Sequence, residues 1–287
     1  MRLRNTRSSR NVIDRRRSGG GRGGVRLAGG GGLGLLAIVV VGYFLGVDLT
    51  PLLNQQGGQP QFEQPGQPRE LSAEEQQAGE FASRVLATTE DVWGNVFPQA
   101  FNTSYDPPQL VLFSGMVQSG CGGASASTGP FYCPADQRAY LDTQFFAYMA
   151  RQLGAQGDFA AAYVIAHEVA HHVQNELGIL GEANRIRAQS NQTQSNRISV
   201  MIELQADCFS GVWARNVSDL LEPGDLQEAL NAAERIGDDY LSQRAGRGAG
   251  NPHNYTHGTS EQRMRWFSVG YDTGDPNQCD TFNADRL

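Results

Sequence analysis

The chain has 287 residues, of which 39% are hydrophobic and 18% are charged, and its formal net charge is -7. A chain of this length forms one large or two modest domains with a real hydrophobic core. The aromatic content of 9% excludes a wholly disordered chain, and the 35 glycines predict that part of the chain lies outside the folded unit.

The net charge averages two different regions. Residues 1–27 contain nine Arg and one Asp, whereas the rest of the chain contains 14 Arg and 29 acidic residues. No residue between Arg26 and Asp48 is charged, and this run is just long enough to cross a bilayer as a helix. The positive-inside rule places the Arg-rich side in the cytoplasm. The sequence thus predicts a single-pass cell-membrane protein, with a cytoplasmic tail (1–27), a transmembrane helix (28–47) and an extracytoplasmic domain.

Other interpretations of the N-terminal region are open. A cleaved signal peptide needs an A-x-A-like site, and none precedes Asp48. The Gly/Arg-rich segment at 19–32 has the composition of an RNA-binding tail but lacks interleaved aromatics, so we favour contact with anionic lipid and expect no nucleic-acid partner. Residues 48–70 are rich in Gln, Pro and Gly, which predicts a flexible linker.

Residues 71–287 are predicted to form an α+β domain that is mostly helical and has a small sheet. A capping box at Ser72 and Glu75 begins a helix that should end near Val96, before Pro98. The other predicted elements are a strand at 109–113, a Gly/Ser-rich loop at 118–134, a short strand at 139–142, and helices at 145–153, 158–177, 182–216 with a break at 188–196, 225–244 and 260–269.

All four cysteines lie in this domain, a distribution typical of an oxidising compartment. Four cysteines allow three pairings. We favour Cys121 with Cys133, which closes the Gly/Ser-rich loop, and Cys208 with Cys279, which ties the C-terminal tail to the long helix. The alternative is that Cys208 is an unpaired buried thiol. No two cysteines have the close spacing of a thiolate zinc site.

Residues 167–171 read His-Glu-Val-Ala-His within a predicted apolar helix. Residues four apart on a helix are rotated by only about 40°, so His167 and His171 project from one face and can share a cation, with Glu168 beside them. His172 is turned about 100° from His171, which favours a packing role. The pattern therefore predicts two ligands of a metal site.

A catalytic zinc ion takes three protein ligands and leaves a fourth position for water. Asp207 follows Glu203 by four positions in a predicted helix, so both carboxylates lie on one face. One of them could bind zinc while the other holds a ligand imidazole in its tautomer. The candidates for the third ligand are Glu203, Asp207, Asp142, His253 and His257.

Three segments in this order, HEVAHHVQ (167–174), ELQADCFSGVW (203–213) and THGTSEQRMRWF (256–267), resemble the bacterial family described as "putative neutral zinc metallopeptidase". Members of this family are similar to the gluzincins, zinc peptidases whose third ligand is a Glu on a second helix. The resemblance covers roughly residues 71–282. It implies a zincin-like fold, Zn²⁺ bound by His167, His171 and Glu203, Glu168 as the base, and Asp207 as a carboxylate that holds His167.

The sequence thus predicts a membrane-anchored zinc peptidase with a protein or peptide substrate. Glu168 would take a proton from the attacking water, and His257, in a Gly-flanked loop, is our candidate for the donor to the oxyanion. We expect Arg263 to pair with a nearby acid rather than with substrate. Tyr140 and its neighbours could form an edge strand that pairs with an extended peptide.

The alternative is a catalytically inactive, zinc-stabilised pseudo-peptidase that binds envelope proteins. Glu168 favours the enzyme, because a catalytic base has no structural duty as a metal ligand.

Overall fold

The computed structural model describes residues 1–17, 70–125 and 128–287. Within these ranges the chain is mostly helical with a small sheet, as predicted. The predicted transmembrane helix (28–47) and nearly all of the predicted linker (48–70) lie outside the described residues. The ranges that the structure does describe contain no helix with the length and apolar character needed to cross a bilayer.

Most of the helices contribute to one main core, and a smaller separate cluster forms around Leu180 and Ala183. The helices are α1 (Ala73–Ala100), α2 (Gln144–Tyr148), which continues as a π-helical turn (Met149–Leu153), α3 (Asp158–Glu176), α4 (Ile179–Arg187), α5 (Gln192–Asn216), α6 (Asp225–Arg235), α7 (Asp238–Arg244) and α8 (Ser260–Thr273). Short 3-10 turns occupy Ser218–Leu220, Pro252–Asn254 and Pro276–Gln278.

Several helix boundaries differ from the prediction, among them the start at Ile179 and the end at Thr273, and two of the differences have identifiable reasons. The capping box at Ser72 and Glu75 begins α1 as predicted, but the helix continues past Pro98 to Ala100. The proline is tolerated because the carbonyl that would accept its missing N–H belongs to Gly94, which is exposed to water. The predicted helix 225–244 is broken at Gly237, where a side chain would collide with the backbone of Ser260.

The sheet combines parallel strands with one antiparallel edge. Its order is β1-β2-β6-β5, with strands β1 (Val12–Asp14), β2 (Gln109–Phe113), β5 (Phe131–Cys133) and β6 (Arg138–Asp142). The first three strands of that order run parallel, and β5 runs antiparallel to β6. Tyr140 lies on β6, inside the sheet, so the prediction of an edge strand at Tyr140 is wrong; β5 forms that edge.

The predicted loop at 118–134 contains more regular structure than its composition suggested. A hairpin of β3 (Met116–Ser119) and β4 (Gly122–Ser125) precedes β5. A disulfide between Cys121 and Cys133 ties the hairpin to β5, and a second joins Cys208 to Cys279. Both favoured pairings are therefore confirmed, and the unpaired Cys208 is excluded.

Residues 1–17 belong to the folded domain. Leu3 is buried in the main core, the backbone N–H of Arg2 donates to the carbonyl of Leu220 (2.8 Å), and β1 pairs with β2. The guanidinium of Arg7 pairs with Asp91 (2.6 Å) on α1. A segment that contributes to the core and the sheet lies on the same side of any membrane as the rest of the domain. The predicted localisation, with a cytoplasmic N-terminus and an extracytoplasmic domain in a single-pass protein, is therefore wrong.

Helices α5 and α8 approach each other closely at two glycines. A methyl group at Gly211 would lie 2.1 Å from the carbonyl oxygen of Phe267, and one at Gly270 would lie 1.9 Å from that of Cys208. Neither backbone can yield without moving a whole helix. The absence of both side chains therefore sets the separation of these two helices.

We expect Gly270→Ala to lower the free energy of unfolding by about 1–3 kcal/mol, the usual range for overpacking a core. The matched control is Gly94→Ala, because this exposed helical glycine has no atom within 4 Å of the added methyl group, and there the change should be neutral or stabilising. Urea unfolding of both variants measures the difference. Equal stability of the two variants would contradict the proposed constraint.

Candidate metal centre

The side chains of His167, His171 and Glu203 meet between α3 and α5. One ligand atom from each lies within 4.8 Å of the others. The Nε2 atom of His167 is 3.1 Å from one carboxylate oxygen of Glu203, and the Nε2 atom of His171 is 3.5 Å from the other. The intervening helix α4 packs against both α3 and α5 and returns the chain to the site. The structure thus brings together the three residues predicted as zinc ligands.

This set of donors fits a zinc ion. Two imidazole nitrogens and a carboxylate are a common catalytic set, and three protein ligands leave one position open. The remaining nitrogen of each ring is occupied: Nδ1 of His167 is 2.9 Å from Asp207, and Nδ1 of His171 is 2.9 Å from Gln174. Metal-bound histidines are normally held by such partners on the other nitrogen. Both rings are therefore oriented with Nε2 towards Glu203.

Asp207 is held by several hydrogen bonds besides the one to His167. It is fully buried and accepts hydrogen bonds from the hydroxyl of Tyr163 and from two nitrogens of Arg263 (2.8 and 2.9 Å). Burial raises the pKa of Asp207, but the charges of Arg263 and His167 outweigh it, and the net shift is downwards. The predicted ion pair of Arg263 with a nearby acid is confirmed.

The imidazole of His167 lies between the carboxylates of Asp207 and Glu203, which favour its protonated form. Burial lowers the pKa of His167, but Asp207 and Glu203 oppose burial and bring the pKa to about 10. The pKa of Glu203 lies well below its usual value: burial raises it, and the charge of His171 and the hydrogen bond from His167 outweigh that effect. His167 is thus the group that must give up a proton before it can bind a metal ion.

Glu168 lies beside this cluster and is only partly buried. Burial raises its pKa, and the nearby charges of His171 and His167 offset part of the rise. A carboxylate with a raised pKa accepts a proton and passes it on more readily than an ordinary one.

His257 comes from the loop before α8 and is held by Asp238. One oxygen of Asp238 accepts the backbone N–H groups of Thr256, His257 and Gly258, and the other lies 3.2 Å from the Nδ1 atom of His257. Burial lowers the pKa of His257, whereas Asp238 and the charge of Glu203 raise it, and the net shift is upwards. The charges of His257 and Glu203 each shift the pKa of the other group towards its charged form.

The other predicted candidates have different surroundings. His172 is buried and bonded to the hydroxyl of Tyr132 (3.0 Å) and to the carbonyl of Asp106 (2.6 Å), as expected for a packing residue. Asp142 accepts N–H groups from Gly115 and Gln144 at the start of α2. His253 is exposed. Neither Asp142 nor His253 belongs to the metal-binding cluster.

Sequence reasoning did not identify Tyr163, Gln174 and Asp238 as parts of the site. Tyr163 precedes His167 by four residues and Gln174 follows His171 by three, so both occupy the ligand face of α3. This helical spacing is the feature of the sequence that could have identified Tyr163 and Gln174 as neighbours of the ligands. Asp238 had no local signal, because its role depends on the approach of a distant loop.

Residues 1–282 match the model of the family described as "Putative neutral zinc metallopeptidase". The chain belongs to this family. It is 50% identical over 289 residues to "Uncharacterized protein YpfJ" of Escherichia coli (strain K12), a match that covers 98% of this chain and 99% of the relative. It is 47% identical over 220 residues to "Uncharacterized protein Mb2605" of Mycobacterium bovis and to "Uncharacterized protein Rv2575" of Mycobacterium tuberculosis (strain H37Rv), with 71% of each chain covered. No solved structure matches the chain.

Zinc titration is expected to release about one proton at pH 7, because His167 is protonated below a pKa of about 10 and must be neutral to bind metal. The apparent zinc affinity should fall as the pH is lowered, by roughly tenfold per unit from this group. Calorimetric titrations in two buffers with different ionisation enthalpies measure the number of protons that zinc binding releases. A binding enthalpy that is independent of the buffer would contradict the proposed protonation state.

Proposed function

We propose that this chain is a zinc-dependent peptidase in which Glu168 acts as the general base. The observation that carries the proposal is the position of Glu168 beside two imidazoles and a carboxylate that converge within 4.8 Å, with Glu168 itself outside that ligand set. A zinc site that served only to stabilise the fold would be closed by a fourth ligand and would have no use for an additional carboxylate. The family description supports the same reaction class.

His167, His171 and Glu203 would hold zinc, which would supply Lewis acidity towards the scissile carbonyl and the attacking water. The carboxylate of Glu168 accepts a proton from that water and delivers it to the leaving nitrogen. Its raised pKa suits both steps, since a strongly acidic carboxyl would be a poor acceptor. Asp207 keeps the proton of His167 on Nδ1, so Nε2 presents its lone pair to the metal.

We propose that His257 donates a hydrogen bond to the oxyanion that forms on the attacked carbonyl. Asp238 fixes both the backbone and the ring of His257, and a donor held before the reaction begins stabilises developing charge most effectively. The raised pKa of the imidazole favours the protonated form, which is the better donor.

Replacing Glu168 by Gln removes the base and preserves the shape of the side chain. We expect the cleavage rate of a generic unfolded protein to fall by about 10²–10⁴-fold, the usual contribution of a general base. Zinc stoichiometry and thermal stability should stay at wild-type levels. Cleavage assays with metal analysis measure both. If neither wild type nor variant cleaves any member of a broad peptide library, the chain is not a peptidase, and the zinc-stabilised binding module becomes the better proposal. Equal cleavage by both would exclude Glu168 as the base.

Replacing His257 by Ala should lower kcat by about 10²–10³-fold with little change in KM, because the lost hydrogen bond forms chiefly in the transition state. His253→Ala is the matched control, since that exposed histidine lies outside the cluster. Steady-state kinetics on one peptide substrate compare the two variants. An equal effect of both changes, or a loss confined to KM, would exclude the proposed role.

A further inference from the structure

The two ligand histidines are held by chemically different partners. Asp207, which holds His167, is a carboxylate, whereas the Nδ1 atom of His171 lies 2.9 Å from the amide oxygen of Gln174. Gln174 is fully buried on α3, so its amide cannot exchange partners with water. The groups that orient the amide of Gln174 therefore determine whether its oxygen or its nitrogen faces His171.

The amide of Gln174 is the first member of a buried hydrogen-bonded chain. Its Nε2 donates to the carbonyl of Ile202 (2.8 Å) and to the side-chain oxygen of Gln205 (3.0 Å) on α5. The Nε2 of Gln205 in turn donates to the carbonyl of Cys279 (2.9 Å). We call the series Cys279, Gln205, Gln174 and His171 the amide relay.

The polarity of the amide relay is set at its far end. A backbone carbonyl can only accept, so Gln205 must turn its NH₂ group towards Cys279 and its oxygen towards Gln174. Gln174 must then offer NH₂ to Gln205 and oxygen to His171, an orientation that the carbonyl of Ile202 reinforces. An oxygen facing Nδ1 of His171 accepts only if that nitrogen carries the proton. The Nε2 lone pair of His171 is thereby directed towards Glu203.

The acceptor at the far end of the relay is firmly attached to α5. Cys279 is buried and bonded by its disulfide to Cys208 on that helix. Two residues further on, the hydroxyl of Thr281 donates to the carbonyl of Met201 (2.7 Å), also on α5. The C-terminal segment thus holds the Cys279 carbonyl at a fixed position relative to the helix that carries Glu203.

We propose that Gln174 and Gln205 are positioning residues that hold His171 in the Nδ1–H tautomer, the form in which its Nε2 can bind metal. The inference rests on the proposed zinc site and is independent of peptidase activity. A neutral amide performs this task without adding charge, which suits a centre that already contains the carboxylates of Glu168, Glu203 and Asp207.

The first readout is the tautomer of His171 in the metal-free full chain, measured from its ¹⁵N imidazole chemical shifts at a pH where the ring is neutral. We expect the Nδ1–H form in the wild type and a mixture of both tautomers in Gln174→Met, which fills a similar volume but cannot accept the proton. Thr89→Val is the matched control, because it removes a buried hydroxyl-to-carbonyl hydrogen bond within α1, outside the amide relay. A wild-type ring protonated on Nε2 would overturn the proposal.

The second readout is zinc affinity, measured by competition with a chelator. Gln174→Met should weaken binding by about 10–100-fold, as is typical when the partner of a ligand histidine is lost. Gln205→Met should weaken it less, since Ile202 still anchors Gln174, and should add almost nothing in the Gln174→Met background. Additive effects, or an equal loss in Thr89→Val, would show a general structural role instead. Wild-type zinc binding without cleavage would refute the peptidase proposal alone.

Discussion

The contact between α3 and α5 places two imidazoles against one carboxylate in the protein interior. His167 and Glu203 are close enough to share a proton, and the buried charges must all be compensated. An uncompensated buried ion is very unfavourable, so each polar atom around the cluster needs a partner. Asp207, Arg263, Tyr163 and Gln174 supply those partners, and their positions depend on helices far apart in sequence.

The packing of α8 on α5 supplies part of the compensation for these buried charges. Gly211 and Gly270 allow the two backbones to approach closely, and the same approach brings the guanidinium of Arg263 to Asp207. A wider separation would leave a buried aspartate facing His167 without its cation. The small residues of α5 and α8 are therefore part of the electrostatic design of the site, even though they touch neither ligand.

The local patterns in the sequence predicted most of the helices and the parts of the site that lie within one helix. The spacing of His167 and His171, and that of Glu203 and Asp207, follows from helical geometry alone. The partners that come from elsewhere had no such signal: Asp238 joins His257 across a loop, and Cys279 reaches Gln205 from the C-terminal segment. Tertiary hydrogen bonds of this kind depend on the complete fold, and a single sequence does not reveal them.

The Arg-rich N-terminal segment illustrates a further limit of sequence patterns. Nine arginines in the first 27 residues looked like a signal for membrane orientation because no acid except Asp14 accompanies them. In the structure Arg7 pairs with Asp91, and Arg16 is buried against Asp14. A cluster of like charges specifies the sign of its partners and not their identity. Here Asp91 pairs with Arg7 and Asp14 pairs with Arg16, so ion pairing within the folded unit accounts for these two basic residues.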